Sequence, residues 1–242
     1  MKIWNYNWGF TMEGGRIIHP DTPYMWYSKK CVGTNLANIG YVVLETVKDP
    51  VEITYYDHTV YNPTMACGVL RSTDAFSFGT FSAEIVMPQG KGLWPGFWLT
   101  GDGDWPETGE IDICEGYSDR HYFRLFTPYF PWINPSWKTT TNVHYADGED
   151  HKMAGSRSIP LCKQKYSPDK NKIKYEVLWT PDEIVFKVDG KTVRRDTEAV
   201  KRFSKPGSKM HVIFDSWCED PAKTEVQMDT PMIIRNFEYK PL

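Results

Sequence analysis

Apolar and polar residues alternate along this chain in short runs, and Gly, Pro, Asn and Asp separate one run from the next. A period of two marks a strand with one face turned to a core. It predicts strands over residues 39–46, 79–87, 93–100, 110–115, 175–179, 184–188, 191–195, 210–216 and 232–239. Asp189-Gly190 sits between two of these runs and predicts a two-residue hairpin turn. The helical period of 3.6 is nearly absent. Its best instance is residues 197–203, with Asp196 placed to cap the N-terminus and Pro206 just beyond the end. Many short strands with so little helix predict an all-β fold, a sandwich of two antiparallel sheets. No repeat, low-complexity tract or linker interrupts the pattern, so residues 1–242 read as one domain.

One run departs from simple alternation. In Gly109-Glu110-Ile111-Asp112-Ile113-Cys114-Glu115-Gly116, strand geometry sends Glu110 and Asp112 to one face and Ile111 and Ile113 to the other. Glu115 is an odd number of residues from Glu110, so a regular strand would turn it toward the isoleucines. A one-residue bulge near Ile113 or Cys114 restores it to the acidic face. Three carboxylates on one face repel unless they are solvated, bound to metal or used. Cleavage of a glycosidic bond uses two, one as nucleophile and one as proton donor, about 5–5.5 Å apart in retaining enzymes. Repulsion and burial raise the pKa of such groups and keep one protonated near neutrality. Asp112, between the two glutamates, is placed to orient the nucleophile.

Composition narrows the ligand class. The net charge of −3 argues against nucleic acid or an anionic membrane as the main partner. No apolar run is long enough to span a bilayer. Aromatic residues make up 15% of the chain, which fits a large aromatic-rich core for most of them or a surface that stacks on flat ligands, and Trp94-Pro95-Gly96-Phe97-Trp98 and Trp105-Pro106 directly precede the acidic run. Flat apolar rings beside clustered acids suit a sugar cleft. Residues 117–141 form a long irregular stretch, rich in aromatics and carrying Arg120, Arg124 and Lys138, that is either a functional loop or a satellite apolar cluster. His144, Asp147, Glu149, Asp150 and His151 read as an exposed polar turn, and Asp102-Gly103-Asp104 as another. The five cysteines, Cys31, Cys67, Cys114, Cys162 and Cys218, lack metal-ligand spacing. Each is expected to be a free buried thiol, with one disulfide left open. The start, Met1-Lys2-Ile3-Trp4-Asn5-Tyr6, has no signal-peptide pattern, and both Asn-Pro-Ser/Thr sites are blocked by their proline.

These residues resemble glycoside hydrolase family 16, in the bulged ExDxxE form of its laminarinases and related endo-galactanases. The resemblance rests on Trp94 to Leu99, Trp105-Pro106 and Gly109 to Glu115. It extends through Phe78 to Ile85, Asn142-Val143-His144-Tyr145, the 175–195 hairpin and the 232–239 strand, and so covers residues from about 65 to 239. It implies a β-jelly-roll sandwich with a concave cleft and retaining, endo-acting cleavage of a β-glycan. By motif position it implies Glu110 as nucleophile, Asp112 as helper and Glu115 as general acid/base. The substrate-binding candidates are Trp94, Trp98, Trp105, His144, Arg71 and Asn35. A core role stays open for Trp98 and His144, and Arg71 is offered because Val69 fills a slot where the family often has arginine. No metal or other cofactor is expected, because Arg235 takes the slot of the family's usual calcium-binding aspartate. The expected partner is a polysaccharide, a β-1,3- or mixed-linkage β-1,3-1,4-glucan. The alternatives are an agar, porphyran or carrageenan, transfer to a sugar acceptor, or sugar binding without chemistry. A monomer that works outside the cytoplasm, its signal peptide not part of this chain, is the accompanying expectation.

Overall fold

The computed structural model describes residues 7–12, 17–18, 23–34, 41–55, 58–117, 137–154, 157–161, 166–218, 225–226 and 230–242. Two antiparallel sheets dominate it. Across the larger sheet the strands run Trp8–Gly9, Val69–Ser72, Met210–Cys218, Leu93–Gly101, Glu110–Tyr117, Trp137–Asp147 and Asp150–Met153, and Arg157–Leu161 also pairs with Trp137–Asp147. The second runs Lys191–Asp196, Ile184–Val188, Ile173–Trp179, Gly79–Val86, Met232–Pro241, Tyr41–Leu44 and Val32–Thr34. Hairpin pairs such as Leu93–Gly101 with Glu110–Tyr117 are joined to strands from distant parts of the chain, such as Met210–Cys218 beside Leu93–Gly101, and the predicted all-β sandwich is what forms.

The core lies between the facing sides of the two sheets. Phe97, Leu99, Ile111, Val143, Val212 and Phe214 come from the larger sheet; Phe81, Val177, Trp179, Phe186, Ile234 and Phe237 come from the other. Phe97 and Phe214 stack across neighbouring strands with centroids 4.4 Å apart. Each such ring removes on the order of 150–250 Å² from water, which makes these contacts the main source of stability. Ile213 and Val69 alternate with Phe214 and Leu70. They therefore point off the opposite face, where they join Met25, Met65 and Cys67 in a second, smaller cluster. That cluster covers part of the outer face and leaves the rest for a site.

Several details differ from the sequence pattern. The helix is one turn, Val200–Phe203, although Asp196 does accept the backbone N–H groups of Glu198 and Ala199 just ahead of it. A helix this short has no periodicity to read. The edge strands Asp150–Met153 and Arg157–Leu161 carry no alternation that betrays them, because Asp150–Met153 is exposed throughout. Cys31, Cys67, Cys114 and Cys218 are free and buried, as expected; Cys162 and Asn35 lie outside the described residues, as do residues 118–136 of the long aromatic stretch. Arg235 sits over the Tyr41 ring at 4.7 Å and reaches Asp169 at 3.3 Å, so a fixed cation already occupies that surface.

Gly109 locks the start of the acidic strand. It adopts φ 78°, and a Cβ there would fall 2.3 Å from Cγ of Phe203 in the one-turn helix. Backbone strain and overpacking would act together. Gly109→Ala is expected to destabilise the protein by about 3 kcal/mol or more and to lower its melting temperature by several degrees in a thermal melt. An unchanged melting temperature would mean that Phe203 does not press on this strand.

Candidate functional site

The acidic strand is held on both sides, and the pairing shows how its spacing is resolved. Against Trp137–Asp147 the partners are Glu110 with His144, Asp112 with Asn142, and then Glu115 with Thr140. Ile113 and Cys114 thus stand opposite Thr141 alone. The same shift appears against Leu93–Gly101, where Asp112 pairs with Trp98 but Cys114 with Phe97. This is the predicted bulge. Ile113 and Cys114 both turn into the core, 1% and 0% exposed, and Glu110, Asp112 and Glu115 all emerge on the outer face.

Each glutamate is gripped by an indole. Trp105 donates its Nε1–H to Glu110 Oε2 at 2.8 Å, and Trp94 donates its Nε1–H to Glu115 Oε1 at 2.9 Å. The second oxygen of Glu115 accepts from Thr140 Oγ1 at 3.3 Å and from Asn142 Nδ2. Thr140, Asn142 and His144 are alternate residues of one strand, so the pleat alone brings all three to the same face. His144 Nε2 lies 3.2 Å from Asp112 Oδ2 and 3.8 Å from Glu110 Oε1. Glu110, Asp112 and His144 are also the group among the described residues whose donor atoms could share a metal ion, all within 4.8 Å of one another. Here the imidazole nitrogen itself faces both carboxylates.

Burial sets the charge state of the acids. Desolvation, and next the Asp112 charge, push the Glu110 carboxyl well up, while His144 and the Trp105 N–H pull it back. Desolvation and the Glu115 charge push Asp112 well up as well. Glu115 is raised by burial against the pull of Trp94, Asn142 and Thr140. The trio therefore holds protons to higher pH than free carboxyls do, which suits a site needing one acid in its protonated form.

The remaining candidates fall at different distances from the acids. Trp105 is 50% exposed and stacks obliquely on His151, with ring centroids 4.5 Å apart. Trp98 is half-buried: it packs on the smaller apolar cluster and donates its Nε1–H to Asp215 Oδ2 at 2.7 Å. Arg71 is not among the groups at the acids; its guanidinium meets Asp102 at 3.2 Å, and Asp102 also meets His211 Nε2 at 2.6 Å. The reading of His144 and His151 as parts of an exposed turn is corrected. Only Gly148 and Glu149 form the turn, and both histidines lie on the strands it joins, where His144 Nδ1 and His151 Nε2 are 2.8 Å apart.

Sequence reasoning missed Thr140, Asn142, His151 and Asp215. Period-two alternation back from His144 would have found the first two. Asp215 had a signal too, as the lone acid in the largely apolar run Val212 to Trp217. It is 6% exposed, with Oδ1 accepting the Trp217 N–H. Gly96 makes space for it: a Cβ there would come within 3.0 Å of Asp215 Oδ2 and 3.1 Å of Trp98 Cδ1. Glu115, Gly96 and Asp215 form one row across three strands, so the Trp98–Asp215 pair lies beside Glu115.

A two-sheet sandwich bearing indole-held carboxylates on the outer face of one sheet is the architecture of a polysaccharide-processing fold. The chain matches the description "Glycosyl hydrolases family 16" over residues 37–232 and belongs to that family. A β-glucanase of Rhodothermus marinus is 24% identical over 192 residues, 77% of this chain and 56% of that protein. Among solved structures, porphyranase B of Zobellia galactanivorans superposes with a TM-score of 0.68 at 17% identity, covering 96% of this chain and 86% of that one. The laminarinase catalytic domain of Thermotoga maritima gives 0.66 at 16%, covering 98% and 92%. These two likenesses show the fold. The chain spans 11% and 56% of the lengths of the first two curated relatives it matches.

Burial raises the Asp215 carboxyl from 3.8 to about 6, against the pull of Trp98 and the Trp217 N–H. A raised acid binds its proton more tightly folded than unfolded. Its contribution is thus favourable at low pH and is lost as pH rises through about 6, a swing on the order of 3 kcal/mol. Asp215→Asn cannot ionise. Its melting temperature relative to the natural protein is expected to rise between about pH 4 and pH 7 and then level off. A difference independent of pH would show that Asp215 titrates as an ordinary carboxylate.

Proposed function

We propose that the chain is a retaining endo-β-glycanase that hydrolyses β-1,3- or mixed-linkage β-1,3-1,4-glucan. The observation that carries this reading is the pair Glu110 and Glu115 on one face of one strand, each fixed by its own indole N–H. In this reading Glu110 attacks the anomeric carbon and forms a glycosyl-enzyme. Glu115, kept protonated by burial, gives its proton to the leaving oxygen and then takes one from the incoming water. Asp112 lies on the same strand face as the nucleophile, with His144 Nε2 3.2 Å from its Oδ2, and is placed to orient the nucleophile. The bulge brings the two glutamates onto one face of one strand, and this reading has Glu110 attack directly, without the water that an inverting enzyme holds between its carboxyls.

Charge supports a neutral glucan over a sulfated galactan. Glu110, Asp112, Glu115 and Asp215 all lie on this face, and Arg71, which shares it, is tied to Asp102. A sulfated chain would meet repulsion there. The likeness to a β-glucanase over most of the chain points the same way.

Product analysis on laminarin, lichenan, agarose, carrageenan and xyloglucan tests the substrate, with laminarin or lichenan expected to be cut internally. Proton NMR of the fresh reducing ends tests the mechanism. A β-anomer appearing first supports retention, and an α-anomer appearing first ends it. Glu110→Gln is expected to keep the fold and lose about a thousandfold or more in kcat. Retention of a tenth of the natural rate would remove Glu110 from the nucleophile's role.

A further inference from the structure

We infer that His151 is a positioning residue for the carboxylate site: it fixes the ring of His144 in the form that presents an N–H to Asp112 and Glu110, and it backs the ring of Trp105. The inference rests on the reading of these carboxylates given above, and it adds a residue from outside the acidic strand.

The placement starts with the hairpin. Gly148, at φ 67°, allows a tight turn between Trp137–Asp147 and Asp150–Met153. The turn sets Ala146 opposite His151 and His144 opposite Met153. His144, Ala146, His151 and Met153 then share one face, and His144 and His151 are diagonal neighbours on it. Ala146 is small enough to leave the gap between the two rings open. The rings stack with centroids 5.0 Å apart and planes 20° from parallel.

The contacts form a closed circuit. Trp105 touches Glu110 through its N–H and His151 through its ring face. His151 touches His144 nitrogen to nitrogen, and His144 returns to Asp112 and Glu110. His151 is the member that touches both Trp105 and His144. Its position links the grip on Glu110 to the group that faces Asp112.

Two ring nitrogens 2.8 Å apart need one proton between them. When His151 donates from Nε2, the neutral His144 accepts at Nδ1 and must carry its own proton on Nε2. That proton then sits on the nitrogen that lies 3.2 Å from Asp112 Oδ2 and 3.8 Å from Glu110 Oε1. The opposite neutral form of His144 would aim a lone pair at Asp112 Oδ2 and repel it. A partner on the far nitrogen thus selects the useful tautomer. Burial lowers the pKa of His151, in keeping with a neutral partner.

Two substitutions separate this role from simple packing. His151→Phe keeps a ring against Trp105 and removes the nitrogen; it is expected to lower kcat about tenfold with KM little changed. His151→Gln can place an amide N–H where the imidazole donor was, and is expected to recover most of that loss. Nitrogen NMR of the His144 ring gives a readout that needs no turnover. The Nε2–H form should dominate in the natural protein and in His151→Gln, and should give way to a mixture in His151→Phe. Unchanged kcat in His151→Phe, no recovery in His151→Gln, or a His144 tautomer indifferent to position 151 would each overturn the inference. Failure of the carboxylate reading is seen separately, as Glu110→Gln retaining activity while the His144 spectrum still follows position 151.

Discussion

Ile113 and Cys114 both face inward, and the site depends on that break in the pleat. A regular strand forces residues at odd spacing to opposite faces, so Glu110 and Glu115 could not share a cleft without it. The two buried side chains supply the driving force, because turning either outward would expose apolar surface and leave a gap beside Phe97. The bulge is therefore held from the core side, by packing, and not by the acids it serves. The acids are free to be arranged for chemistry while the strand is anchored by groups that never meet a substrate.

Among the described residues, that arrangement holds its buried acids with few cations. Glu110, Asp112, Glu115 and Asp215 lie within one sheet face, yet the donors described above are mostly neutral: indole N–H groups, an asparagine amide, a threonine hydroxyl and a backbone amide. Neutral donors stabilise a carboxylate without fixing it as an ion, whereas an arginine would pin it ionised. Such a site can let its protons move between groups during a reaction. It also accounts for the aromatic content of the sequence near the acids. Trp94, Trp98 and Trp105 act here as hydrogen-bond donors with large apolar bodies, a combination that Phe could not supply.

The acidic run and its bulge were legible because strand periodicity is strict and the exception had one repair. The two sheets were legible for the same reason, since their central strands bury one face. What stayed hidden had weaker local causes. The Asp150–Met153 strand has no buried face, so no pattern marks it. His151 becomes part of the site through a hairpin that only the Gly148 turn announces. Asp215 needed knowledge of which residue lies opposite, because Gly96 and Glu115 on two other strands define its surroundings. Arg71 was placed on the correct face, but its partner is Asp102, a residue from a connection whose path the pattern does not specify.

The two glutamates differ in where their supports originate. Trp94, Thr140 and Asn142, which hold Glu115, are all strand residues of the sheet itself. Trp105, which holds Glu110, stands in the connection between Gly101 and Glu110. Loop exchange is the ordinary route by which a scaffold acquires a new ligand. On this scaffold it is not neutral. Grafting a different connection between Gly101 and Glu110 would disturb one glutamate and spare the other, so diversification is better tolerated at connections that carry no support for either acid.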